Sequence, residues 1–156
     1  MGKIKDNLYE AEYLEMYNYE ETSKNLKKVF DKYRNYKNKE EIIRRRYKAS
    51  LSLDNLGIFS SYNSDPVQNK VLQLERYTNY IRLIDQIYEL NSNDLSKDEK
   101  IIYKKMLISK HNDEDVMEYL NISSKAGLYV RKKSCFIKVA MWYDLEVFID
   151  SEEFYD

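Results

Sequence analysis

Glycine, proline, cysteine and histidine are all scarce in this chain: its 156 residues include three glycines, one proline, one cysteine and one histidine. So little turn-forming material excludes an all-β fold with its many tight turns, and an all-α class follows. The lone cysteine excludes an intramolecular disulfide framework, and Cys135 with His111 cannot assemble a Cys/His zinc site. Cys135 falls on the apolar side of its segment and reads as a small buried hydrophobe. No apolar run approaches the ~20 residues of a membrane span, and the amino terminus lacks the apolar stretch of a signal peptide. The expectation is a cytoplasmic protein with no membrane partner. Catalytic signatures are missing too. There is no glycine-rich phosphate loop and no histidine beside a nucleophile, and consecutive Asp113, Glu114 and Asp115 would point in different directions from a helix. The chain is expected not to be an enzyme and to need no metal or cofactor.

What is present is enough to build a core. Hydrophobic residues make up 43% of the chain, which excludes wholesale disorder. The sixteen tyrosines read as amphipathic core-edge residues, and none is assigned a nucleophilic role. A net charge of −1 argues at first against nucleic acid, but the charges are segregated. The closing run "DLEVFIDSEEFYD" holds acids and no base, whereas residues 24 to 48 are rich in Lys and Arg. The acidic end either packs against a basic surface, recruits a partner or keeps the chain soluble, the last being the default.

Residues 95 to 145 carry the clearest pattern. Ser96 lies three residues ahead of Glu99, a capping box that predicts a helix start, and Ile102 with Met106 and Tyr103 with Leu107 form its apolar stripe. In "NDEDVMEYL" Asn112 or Asp113 can cap a second helix, with Val116, Met117 and Leu120 facing inward. Asn121 stands where a left-handed turn residue is needed, and Ser123 or Ser124 opens a third helix. This is the layout of a helix-turn-helix reader of DNA. On the third helix Leu128, Cys135, Val139 and Trp142 are expected to be buried. Ser124, Lys125, Tyr129, Lys132 and Lys133 are expected outward, with Arg131 and Lys138 at the sides, as the DNA-binding residues. No acid interrupts the run between Tyr119 and Tyr143. Double-stranded promoter DNA is the expected partner, with phosphate contacts setting affinity and base-edge contacts setting sequence.

Upstream, Asp65, Pro66 and Gln68 predict a capped helix ending near Leu90, with Val67, Val71, Leu74, Tyr77, Ile81, Ile84 and Tyr88 at three-and-four spacing. The glycine, serine and asparagine content of 52–65 reads as a linker. Ahead of it a long amphipathic arm, 1–51, carries Leu26, Val29, Phe30, Tyr33, Tyr36, Ile43, Tyr47 and Leu51 as a stripe. Its partner is the helix after Pro66, the segment "LYEAEYLEMYNYEE", or a second copy in a homodimer. The run Arg44, Arg45 and Arg46 either contacts phosphate or forms a solvated face. The resulting division is an arm at 1–51, a linker at 52–65, a helical DNA-binding domain at 66–150 with the helix-turn-helix at 95–145, and an acidic tail at 151–156.

The helix-turn-helix resembles region four of bacterial sigma factors, and the chain resembles the ArpU and RinA type of phage late-transcription regulators. The resemblance rests on "LKKVFDKYRNYKNK", "NSDPVQNKVLQLERYTNYIRLIDQIYEL" and "EYLNISSKAGLYVRKKSCFIKVA", in that order, over residues 22 to 145. That pattern usually has Thr or Ser where this chain has Gly127, a basic residue near Val130, and Ala in place of Cys135. The resemblance implies an activator of packaging and structural genes of a phage or mobile element, working beside RNA polymerase, with a regulatory protein as a further partner. A helical factor that docks polymerase or another regulator without reading DNA is the alternative.

Overall fold

The computed structural model describes residues 14–55 and 64–149. Among these residues the chain is predominantly helical, in line with the all-α expectation, and its extended pairing is an isolated antiparallel bridge between Tyr17 and Phe148. Helix α1 spans Tyr19–Asn55 and α2 spans Ser64–Asn91, followed by a 3-10 turn at Ser92–Asp94. Helix α3, Lys97–Ile102, runs on into a π-helical turn at Tyr103–Ile108; α4 is Asp113–Leu120 and α5 is Lys125–Trp142.

The chain divides into two compact units, Met1–Phe30 with Leu90–Asp156, and Asp31–Glu89. These units cut the chain at different places from the arm, linker and head read from composition. Residues 52–55 are helical, residues 56–63 and the tail at 151–156 lie outside the described residues, and the first cut falls inside α1. The reason is packing. Phe30 on α1 lies edge-on to Tyr103 (5.6 Å between ring centroids) and to Tyr143 (6.2 Å), so the opening turns of α1 belong to the carboxyl-terminal core.

In the second unit, α2 supplies the partner that the arm's stripe requires. The Tyr33 hydroxyl donates to Asp85 Oδ1 at 2.7 Å, Thr78 Oγ1 donates to Glu40 Oε2 at 3.0 Å, and Tyr36 meets Tyr77 and Tyr80 at 4.7 and 5.1 Å. The Lys32 ammonium sits 4.7 Å from the Tyr80 ring centre, a cation–π contact. Burial, and secondarily Tyr36, push the Tyr80 hydroxyl pKa up. Further along, Arg44 pairs with Glu40 at 3.3 Å and Arg45 with Glu41, the i,i+4 arrangement that supports an exposed helix. All three arginines of the run are exposed. Tyr47 and Val71, both placed on apolar stripes by their spacing, are exposed.

In the first unit the core gathers Leu26, Ile102, Val116, Leu128, Ile137 and Val139, all buried. The expected capping box is present: Glu99 N–H donates to Ser96 Oγ at 3.2 Å and Ser96 N–H donates to Glu99 Oε1 at 3.0 Å. The single helix expected after it is not regular, because Ser109 N–H reaches back to the Lys104 carbonyl at 3.1 Å and widens the turn, with Tyr103 and Leu107 buried there. The start of the acidic closing run has a structural role that charge alone does not reveal. Val147 N–H donates to Thr22 Oγ1 at 3.0 Å, Asn18 N–H donates to the Val147 carbonyl at 2.7 Å, and Ile149 N–H donates to the Met16 carbonyl at 2.9 Å. Residues 145–149 thus strap the entry to α1.

Candidate nucleic-acid interface

The turn between α4 and α5 is built by local chemistry. Asn112 Oδ1 accepts from Asp115 N–H at 2.9 Å and opens α4, whose first turn is acidic, as a positive helix terminus favours. Asn121 adopts the left-handed region (φ 56°, ψ 40°), and the Ile122 N–H bonds to the Met117 carbonyl at 2.9 Å, which closes α4 in a Schellman turn. Ser124 Oγ then accepts from Gly127 N–H at 3.1 Å and starts α5. Glycine suits this position, since a Cβ on residue 127 would lie 3.0 Å from Ser124 Oγ and 3.4 Å from Ile122 Cγ2.

The two halves of α5 differ in environment. From Ser134 to Ala140 only Lys138 is not buried, and Ile137 packs with Leu14 and Tyr17. The first half is open: Lys125, Ala126, Tyr129, Val130 and Arg131 are exposed and Lys133 is half-buried. Leu128, Cys135 and Val139 are buried as expected, and burial pushes the Cys135 thiol pKa well up, with Glu99 adding to the shift. Trp142 is only half-buried, and its Nε1 donates to Asp94 Oδ2 at 3.1 Å.

Carboxylates from the capping turns meet most of the cations on this helix. Lys125 pairs with Glu114 at 3.7 Å, Arg131 with Asp98 at 3.3 Å, and Lys132 with Asp113 at 3.3 Å, where its ammonium also lies 5.6 Å from the Phe136 ring centre. Lys132 is therefore half-buried rather than fully outward. Lys138 is half-buried as well: it pairs at 3.1 Å with Glu99, a buried carboxylate that also accepts from Ser134 Oγ at 2.8 Å. Burial alone would raise the Glu99 pKa. The Ser96 N–H, the Ser134 hydroxyl and the Lys138 ammonium outweigh that and hold it below the usual carboxylate value. Lys138 is thereby held in a lock between α3 and α5. Among the described residues Lys133 forms no ion pair within 4.0 Å. Tyr129 keeps half its surface exposed while one ring edge meets Tyr19 at 5.5 Å, and burial chiefly, then Tyr129, push the Tyr19 hydroxyl pKa up.

Two features escaped sequence reasoning. Ala126 and Val130, with Lys133, form an outward stripe at helical spacing, legible only once the buried side is known. The sequence marks Glu99 and Asp113 as helix-terminus residues, but that two helix starts converge on α5 is a tertiary fact. No described group of His, Cys, Asp and Glu could hold a metal, and no described helix is long and apolar enough to cross a membrane. No family model matches the chain, and neither the curated proteins nor the solved structures contain a match to it.

Proposed function

We propose that the chain is a DNA-binding transcriptional regulator that presents the first half of α5 to the major groove of promoter DNA. In this reading it is an activator of phage or mobile-element late genes, of the ArpU and RinA type, acting in the cytoplasm beside RNA polymerase. The observation that carries it is the succession of capped α4, left-handed Asn121 and capped α5, with the start of α5 open to solvent. Ser124 and Lys125 stand at the helix start, where base edges are read, and Val130 offers an apolar contact of the kind a thymine methyl accepts. Lys133 and Arg131 supply phosphate contacts. The compensating carboxylates make the electrostatic share of affinity modest, so specificity rests more on groove contacts.

The test is binding to DNA of the chain's own element, followed by fluorescence anisotropy across a salt titration. Lys125→Gln with Lys133→Gln, both outside the core, should lower the slope of log K against log salt by ~2, one phosphate contact each. The more severe Lys132→Glu, Lys133→Glu variant should abolish the gel shift. A parent whose binding ignores salt, or variants that bind as the parent does, would remove α5 from the interface. A polymerase-docking factor that does not read DNA is the second reading, and the four carboxylates set against the α5 cations favour it. Co-purification with polymerase, combined with indifference to DNA, would select it.

A further inference from the structure

Helix α2 shows two faces with different sequences. Tyr77 and Tyr80 meet Tyr36 of α1, and Ile84 is buried. The other face carries Leu72, Arg76, Asn79, Leu83 and Gln86, spaced alternately four and three, and every one of them is exposed. That spacing is the seam of a left-handed coiled coil. Its leucines are open to a degree that a solvated helix does not require: Leu72 keeps 62% of its surface and Leu83 keeps 52%. Glu75 and Arg82 flank the seam on one side, seven residues apart and both exposed.

These residues are complementary to themselves in one orientation. If a second copy of α2 is laid antiparallel with its Leu72 opposite Leu83, symmetry sets Leu83 of that copy opposite Leu72. The same register places Arg76 against Asn79 of the other copy, where a guanidinium donates to an amide oxygen, and does so twice. Glu75 then faces Arg82 across the seam, again twice, so both flanking charges find opposite partners. A parallel pairing instead stacks Arg76 on Arg76, two like charges in one layer. We infer that the outward face of α2 is a self-association surface, on which a second copy of this chain docks antiparallel through residues 72–83. The polar Arg76 and Asn79 layers fix the register, as buried polar positions do in coiled coils, and the leucine layers supply the apolar burial. The inference stands apart from the DNA-binding reading, since α5 takes no part in it.

Sedimentation equilibrium on the full chain tests it. The parent is expected to dimerise, and Leu72→Glu with Leu83→Glu to give a monomer whose far-ultraviolet circular dichroism matches the parent's. Glu75→Arg alone sets Arg against Arg82 at two places and should weaken the dimer at least ~tenfold. Adding Arg82→Glu to it should restore the parent constant. Under mild oxidation, a mixture of Leu72→Cys and Leu83→Cys chains should give chiefly the mixed disulfide, the native Cys135 being buried. The inference is overturned by a parent that stays monomeric, by a dimer that survives both leucine substitutions, by failure of the double charge reversal to restore it, or by cross-linking of like chains only.

Discussion

At the residue scale, the scarcity of glycine has consequences at helix ends. Among the described residues Lys110, Asn121 and Asp144 take positive φ without being glycine, at 55°, 56° and 54°. Asparagine tolerates this conformation by its side-chain chemistry, and lysine has no such compensation. Lys110→Gly should therefore stabilise the protein by about 1 kcal/mol, read as a raised urea midpoint at unchanged slope. Glu99 makes the opposite case. Its folded pKa lies below the unfolded value, so its contribution is full above the unfolded value of ~4.3 and disappears as pH falls through the folded one. Glu99→Gln leaves Lys138 and Ser134 facing a neutral group and should cost about 3 kcal/mol at neutral pH. The variant should also lose less stability than the parent on acidification below ~pH 4, a comparison that urea titrations at several pH values make directly.

At the element scale, α5 serves as a core helix in its second half and as an exposed helix in its first. The expected stripe of Leu128, Cys135 and Val139 was legible because three-and-four spacing requires one buried side. Burial of Ile137 and Phe136 was not, because Leu14 and Tyr17 pack on the first and Tyr19 meets the ring of the second from far along the chain. The paired charges belong to this scale as well. Asp98→Asn, Asp113→Asn and Glu114→Gln together release Arg131, Lys132 and Lys125 from their carboxylates. Exposed pairs of this kind contribute only ~0–1 kcal/mol each, so the fold should persist. On the proposed function, DNA affinity should rise by about tenfold and its salt dependence should steepen; a triple variant that binds no more tightly would mean that α5 does not meet phosphate.

At the scale of the whole molecule, the carboxyl-terminal segment closes the first unit. Ending the chain after Leu145 removes the Val147 and Ile149 hydrogen bonds to Thr22, Asn18 and Met16. At about 1 kcal/mol for each of these bonds, calorimetry should record about 3 kcal/mol less stability. Unchanged melting would show that the strap contributes nothing.

Local sequence was enough for the helical class, the capping box at Ser96, a serine cap at 123 or 124, the left-handed turn at Asn121 and the end of α2 near Leu90, while the structure chose Ser124 as that cap. All of these depend on interactions within a few residues, where spacing and side-chain type decide the outcome. Tertiary structure alone decided that the opening turns of α1 join the carboxyl-terminal core, that residues 145–149 are a structural strap, and that Lys138 is the ion-pair partner of Glu99. It also decided that an acid-free run carries little free positive charge. Ion pairing and burial depend on distance in space, and the carboxylates that neutralise α5 come from two other helix starts.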